Sequence, residues 1–137
     1  MSHRHLIVTA AILAAVGVSL GAFGAHALAG AVKTWGLTEA EQAQRLETWE
    51  VAVRYQLFHS LALLGIGLLV ARRPCGRLSW AAALLILGMM IFCGCLYVLV
   101  LSGIKILGAV VPIGGVCLIV GWATLAWAAW TMDEVAS

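Results

Sequence analysis

Seven side chains in this sequence could do chemistry inside an apolar setting: His26, Glu50, Arg54, Tyr55, Gln56, His59 and Tyr97. A guanidinium with imidazoles near it can hold an anion or hydrogen-bond an oxygen-bearing headgroup. Glu50 and Arg54 are four apart, as are Tyr55 and His59, so each pair shares one face if this stretch is helical. The same set is poor in catalytic logic. No nucleophile–base arrangement, phosphate loop or His-Glu-x-x-His occurs, so no catalytic residue is expected and the chain is not expected to be an enzyme. Two histidines without carboxylate or thiolate partners fall short of a metal site, and Cys93 and Cys95, two apart, point to different sides of a helix. No metal and no cofactor is expected.

The elements that must position these residues follow from composition. Of 137 residues, 64% are hydrophobic and 10% charged, against about 25% charged in an ordinary soluble domain. The charges leave four free runs, His5–Val32, Tyr55–Ala71, Leu78–Ile104 and Ile106–Met132, of 28, 17, 27 and 27 residues. A bilayer core about 30 Å thick takes about 20 apolar helical residues, so each run is a spanning candidate. Four spans fill nearly the whole chain. The expected fold is an all-α membrane protein, one domain over 1–137, with four transmembrane helices in an antiparallel bundle at about 6–26, 49–71, 78–102 and 107–131. A net charge of +2 excludes nucleic acid as a partner. Cys75, Cys93, Cys95 and Cys117 do not form a disulfide framework, since three lie within apolar spans.

The N-terminal run invites a signal-peptide reading, with Ala27-Leu28-Ala29 as the cleavage site. At 20 residues, Leu6–Ala25 exceeds the usual apolar region of about 7–15, so a retained first helix is expected. A connection of roughly twenty residues should follow it, the only substantial loop. Within it Thr38-Glu39-Ala40-Glu41 fits a capping box, and Leu46, Trp49 and Val53 fall at helical spacing. An amphipathic interfacial segment is therefore expected between the first two spans. Arg72–Arg77, with Pro74 and Gly76, is a tight turn, and Gly103-Ile104-Lys105 is a second. Trp122, Trp127 and Trp130 load the far end of the last span as interfacial anchors. Helix packing is expected at Gly17, Gly21, Gly24, Gly94, Gly114 and Gly115. Lys and Arg are almost evenly divided between the two faces; with Arg54 set inside its span, the margin of one places the termini on the cytoplasmic side.

Four stretches carry a family resemblance: Gly21-Ala22-Phe23-Gly24-Ala25-His26; Val53-Arg54-Tyr55-Gln56-Leu57-Phe58-His59; Cys93-Gly94-Cys95-Leu96-Tyr97; and Pro112-Ile113-Gly114-Gly115 with Gly121-Trp122. In this order and spacing the chain resembles the domain of unknown function 423 family, the YgdD-like small membrane proteins, whose eukaryotic relative is transmembrane protein 256. The resemblance covers nearly the whole chain. It implies a four-helix protein of the inner (plasma) membrane, with no established activity, ligand or catalytic residue. Two departures matter. The family usually has serines where this chain has Cys93 and Cys95, so these are read as small packing residues. It usually has Thr where Val111 stands, so a role for that hydroxyl does not carry over.

Topology brings the motifs together. His26 ends the first span on the face where Glu50, Arg54, Tyr55, Gln56 and His59 begin the second, and Tyr97 lies in the same half of the third. If the apolar part of span two starts at Tyr55, His59 lies about 6 Å below its edge, level with His26, and the two imidazoles can meet across the first hairpin. The duller reading is that these groups brace helices. The first functional expectation is a non-catalytic protein acting by helix association, as an accessory subunit or membrane-organising factor, within the lipid bilayer and in a larger membrane complex or homo-oligomer. The alternative is binding of a small ligand, lipid or quinone headgroup, with transport in an oligomer, at a pocket of Arg54, His59, His26, Glu50, Tyr55, Gln56 and Tyr97. A haem or metal protein comes third.

Overall fold

The computed structural model describes residues 1–132. It contains four long helical columns: α1, His3–Thr34; α2, Glu39–Arg72; α3, Gly76–Ser102; and α4, Leu107–Trp130. All four are long and apolar enough to cross a membrane. The last five positions of the expected 1–137 domain, 133–137, lie outside the described residues.

The first column is not uniform. It is α-helical over His3–Phe23, widens to a π-helix at Gly24–Leu28, and tightens to a 3-10 turn at Val32–Thr34. The π-turn is marked by the Ala29 N–H, which donates to the Gly24 carbonyl five residues back. The expected twenty-residue connection is thus absent, and only the four residues Trp35–Thr38 separate α1 from α2. The reason is local: Ala27-Leu28-Ala29-Gly30-Ala31 holds no proline, alanine is the best helix former, and one interior glycine costs only about 1 kcal/mol. The chain turns at Gly36, whose φ is +68°.

The capping box forms as the spacing implies. The Thr38 hydroxyl accepts from the Glu41 N–H at 3.3 Å, and the Thr38 N–H donates to Glu41 Oε2 at 2.9 Å. From there α2 runs without a break for 34 residues, about 51 Å. The amphipathic turns are the first part of that helix, not a segment lying apart on the interface. All its charges but Arg72 precede the apolar stretch, so Glu41 sits outside the membrane-spanning part. There the Thr38 N–H and hydroxyl hold its carboxyl below the ordinary range, and Lys105 and Arg45 add a smaller pull.

Helix α3 ends at Gly103, whose φ of +74° is the left-handed conformation that favours glycine. Arg45 reaches this end from α2, donating to the carbonyls of Leu99 and Val100 and lying 5.8 Å from the Trp35 ring. A cation is favourable there because the last carbonyls concentrate the negative end of the helix dipole. At the other end of the bundle the N-terminal ammonium donates to Ser79 Oγ at 3.1 Å. Arg77 there bonds Thr131 and stacks 4.8 Å from Trp127.

Packing runs chiefly between sequence neighbours, α1 with α2, α2 with α3, and α3 with α4. One core cluster, near the termini, joins Leu6 and Ala10 to Leu63, Ile66, Leu78, Leu85 and Leu118. A second, near the α1–α2 turn, joins Leu28 and Val32 to Trp49, Val53 and Val100. Glycines set the closest approaches, but not all of those expected. A Cβ on Gly114 would lie 2.5 Å from the Phe92 backbone nitrogen, and one on Gly24 would lie 2.5 Å from Trp49 Cδ1. Gly17 faces Leu57 at 2.8 Å and Gly21 faces Val53 at 3.3 Å, while Gly115 is in ordinary contact with the Phe92 ring. Gly94 is a correction: a Cβ there meets nothing within 4 Å, and the tight crossings use Gly67, Gly88 and Gly121 instead.

Candidate functional site

Around α2, residues advance by about 100° each, which sorts the polar candidates before any partner is considered. Trp49, Gln56 and Ser60 fall on one side, toward α1 and α3. Glu50 and Arg54 fall about 100–140° round on one flank, and His59 about 80° round on the other. One stretch of sequence therefore supplies three separate environments.

The first is an inter-helix brace. Gln56 is buried; its Nε2 donates to the Leu13 carbonyl of α1 at 2.8 Å, and its Oε1 accepts from the Tyr97 hydroxyl of α3 at 2.9 Å. The Ser60 hydroxyl donates to the Gln56 carbonyl at 2.7 Å. Two turns toward the α1–α2 loop, Trp49 Nε1 donates to the Leu20 carbonyl at 2.8 Å, and its ring lies 4.7 Å from Tyr97 and 5.3 Å from Phe23. The bare Gly24 lets the indole reach that carbonyl. Trp49, Ser60 and the two carbonyls were not among the expected site residues. The recurrence of Trp49, Gln56, Ser60 and Leu63 at seven, four and three residues is the signal that finds the face.

The brace makes a direct prediction. Interhelical hydrogen bonds in membranes average about 0.6 kcal/mol and reach about 1.7, so Gln56→Leu, which breaks two and strands the Tyr97 hydroxyl, should cost about 1–3 kcal/mol. Unfolding in mixed micelles, followed by tryptophan fluorescence, measures it. A variant as stable as the parent would count against the brace.

The second environment is outward. Glu50 and Arg54 form the ion pair that their spacing implies, 2.7 Å apart, with side chains 69% and 54% exposed. His26, on the π-turn, is exposed, and its side chain has no hydrogen bond or ring contact among the described residues. A cleft of about 280 Å³ lies between the π-turn and α2, lined by Gly21, Gly24, Ala25, Trp49 and Glu50. A larger one of about 410 Å³ lies at the end of α3, beside Arg45, Glu41, Thr48 and Lys105.

The third is the surround of His59, which is 8% exposed. Its Nδ1 lies 2.7 Å from the Tyr55 carbonyl oxygen. Its ring stacks on Tyr55 at 5.8 Å and meets Trp122 edge-on at 6.1 Å, and Tyr55 stacks on Phe92 at 4.6 Å. By helical rise His59 is about 6 Å from Tyr55, where the charge-free stretch of α2 begins, and about 20 Å from Arg72, so it lies in the half of that stretch nearer the α1–α2 turn. His26 and His59 do not meet. Trp122, expected as a far-end anchor, lies level with His59, while Trp127 and Trp130 occupy the terminal end. Arg54, His26 and His59 thus do not form one pocket. Among the described residues no group of three or more His, Cys, Asp or Glu comes together to hold a metal.

Comparisons with known proteins bear on the whole chain. The family model described as "Protein of unknown function (DUF423)" matches residues 20–115. A UPF0382 membrane protein of Staphylococcus saprophyticus is 41% identical over 119 residues, 87% of this chain and 91% of its own length. One from Staphylococcus aureus is also 41% identical, over 87% of this chain and 89% of its own. The UPF0382 inner membrane protein YgdD of Escherichia coli K12 is 38% identical over 125 residues, 91% of this chain and 88% of its own. No solved structure matches the chain.

Proposed function

This chain belongs to the DUF423 family of membrane proteins, and we propose that it is a non-catalytic inner-membrane protein that acts by helix association, as an accessory subunit or membrane-organising factor. The observation that carries the reading is the bareness of α1. Its α-helical part, His3–Phe23, buries only Leu6, Ala10 and Gly17. The opposite side exposes Ala11, Ala15, Ser19 and Ala22, at the three- and four-residue spacing that lets another helix approach closely. Lipid tails are as apolar as leucine, so close packing and not hydrophobicity draws membrane helices together. The polar groups of α2 support the same reading, because Trp49 and Gln56 are spent on holding helices to one another.

Tagged purification from native membranes in mild detergent, with mass spectrometry of what co-migrates, tests the proposal. A companion at fixed stoichiometry, or a discrete homo-oligomer, is the expected result. Ala15→Leu with Ser19→Leu should dissociate the assembly and leave the thermal stability of the released chain unchanged. A parent protein that migrates as a lone monomer would sink the reading.

A further inference from the structure

The larger cleft, of about 410 Å³, falls within the range of about 300–1,000 Å³ usual for small-molecule sites. Helix α2 supplies Gln44 and Arg45 to its lining, and the α3–α4 turn supplies Gly103 and Lys105. That turn joins two spanning helices, Gly76–Ser102 and Leu107–Trp130, so it lies at a membrane surface. Lipid phosphates lie at the same level, just outside the hydrocarbon core.

Arg45 is fixed in place by the chain itself. Its Nη1 donates to the Leu99 and Val100 carbonyls, and a Cβ on Gly103 would lie 2.9 Å from its Nη2. Gly103 thus ends α3 through its positive φ and leaves space for the guanidinium through its missing side chain. A guanidinium has five N–H donors, and the bonds to α3 engage only Nη1. The Lys105 ammonium and the Gln44 amide make no hydrogen bond among the described residues. Charge then selects the ligand. Arg45 and Lys105 bring two positive charges to the lining, and Glu41 brings one negative. Glu41 is turned to its cap, where Oε2 accepts from both the N–H and the hydroxyl of Thr38. The positive ends of the α2 and α4 dipoles lie beside Glu41 and Lys105, while the bonds of Arg45 answer the negative end of α3. The sum favours an anion with several acceptor oxygens, and Leu37 and Leu99 give it an apolar flank. A phosphodiester that carries acyl chains has both parts.

We propose that the cleft at the end of α3 holds the phosphate of an anionic phospholipid, with Arg45 and Lys105 on its oxygens and its acyl chains passing Leu37 and Leu99 into the bilayer. This is binding alone, and it stands or falls separately from helix association.

The test uses the full chain in mild detergent, with lipids added back and bound molecules counted by native mass spectrometry. One dioleoyl phosphatidylglycerol per chain should be held about five-fold more tightly than dioleoyl phosphatidylcholine, whose choline cancels the phosphate charge. That factor is what one basic side chain near a membrane surface supplies. Lys105→Gln, at an exposed position, should erase the preference and leave thermal stability unchanged. Lys33→Gln, exposed near the same end but outside the cleft lining, should keep it. Arg45→Gln should abolish retention, but it also releases the end of α3, so the two lysine variants carry the test. Equal retention of the two lipids, or equal effects of the two lysine variants, would overturn the proposal. So would displacement of phosphatidylglycerol by inorganic phosphate at a similar concentration, which would make a soluble anion the occupant.

Discussion

Gly114→Ala should separate α3 from α4 and lower stability by about 2 kcal/mol, the upper part of the overpacking range less the propensity that alanine restores. The added Cβ would lie 2.5 Å from the Phe92 nitrogen and 2.9 Å from its Cα and Cβ. These atoms are backbone and its first side-chain carbon, so no rotamer change relieves the contact and one helix must move. Movement at Gly114 also disturbs Gly88, which packs on Leu118 and the Gly114 carbonyl, and Gly121, which packs on Leu85. Gly94→Ala is the control. It meets nothing within 4 Å and should be neutral or stabilise by up to about 1 kcal/mol. Reversible unfolding in mixed micelles compares the two. Equal stability of the variants would remove the close crossing as an explanation of how α3 and α4 associate.

Trp49→Ala should be the most damaging single truncation in the first hairpin. In water-soluble cores a buried tryptophan lost to alanine costs about 3–5 kcal/mol. In a bilayer much of the transfer part disappears, leaving the cavity, the ring contacts and the bond to Leu20, on the order of 2–3 kcal/mol. Trp49→Phe separates these parts. It keeps an aromatic ring against Phe23 and Tyr97 and gives up the indole N–H, so its cost should be nearer the average of about 0.6 kcal/mol for one membrane hydrogen bond. Gly24→Val should resemble the alanine variant, because its side chain would occupy the place of the indole. If Gly24→Val is silent, the indole does not depend on that approach.

Local relations were legible in the sequence, and relations across helices were not. The charge-free runs place α3 and α4 within two residues of their observed starts, and the four-residue spacings foresee the Glu50–Arg54 pair and the stacking of Tyr55 on His59. The Thr38–Glu41 box is equally local. The length of α1 was missed because its last turns carry Lys33 and small residues, which read as loop although nothing in them stops a helix. The meeting of His26 with His59 was inferred from depth alone. Depth says nothing of angle, and the π-turn at Gly24–Leu28 also rotates His26 away from the register of a plain α-helix. The partners of Gln56 and Trp49 include the carbonyls of Leu13 and Leu20, and a carbonyl leaves no mark in a sequence. Gly94 and Gly88 cannot be told apart by type, since only helix phase decides which one faces α4.

The neighbour-to-neighbour packing of the four helices has a consequence for biogenesis. Each helix packs on the one made just before or just after it, so no early helix waits in the membrane for a distant partner, and contacts this local form quickly. A nascent chain that has emerged as far as Arg73 holds both partners of the Gln56–Leu13 and Trp49–Leu20 bonds. Within that intermediate Gln56 Oε1 still lacks the Tyr97 hydroxyl. The first hairpin thus exposes one specific acceptor to its successor, and the arriving α3 is oriented by the residue that satisfies it.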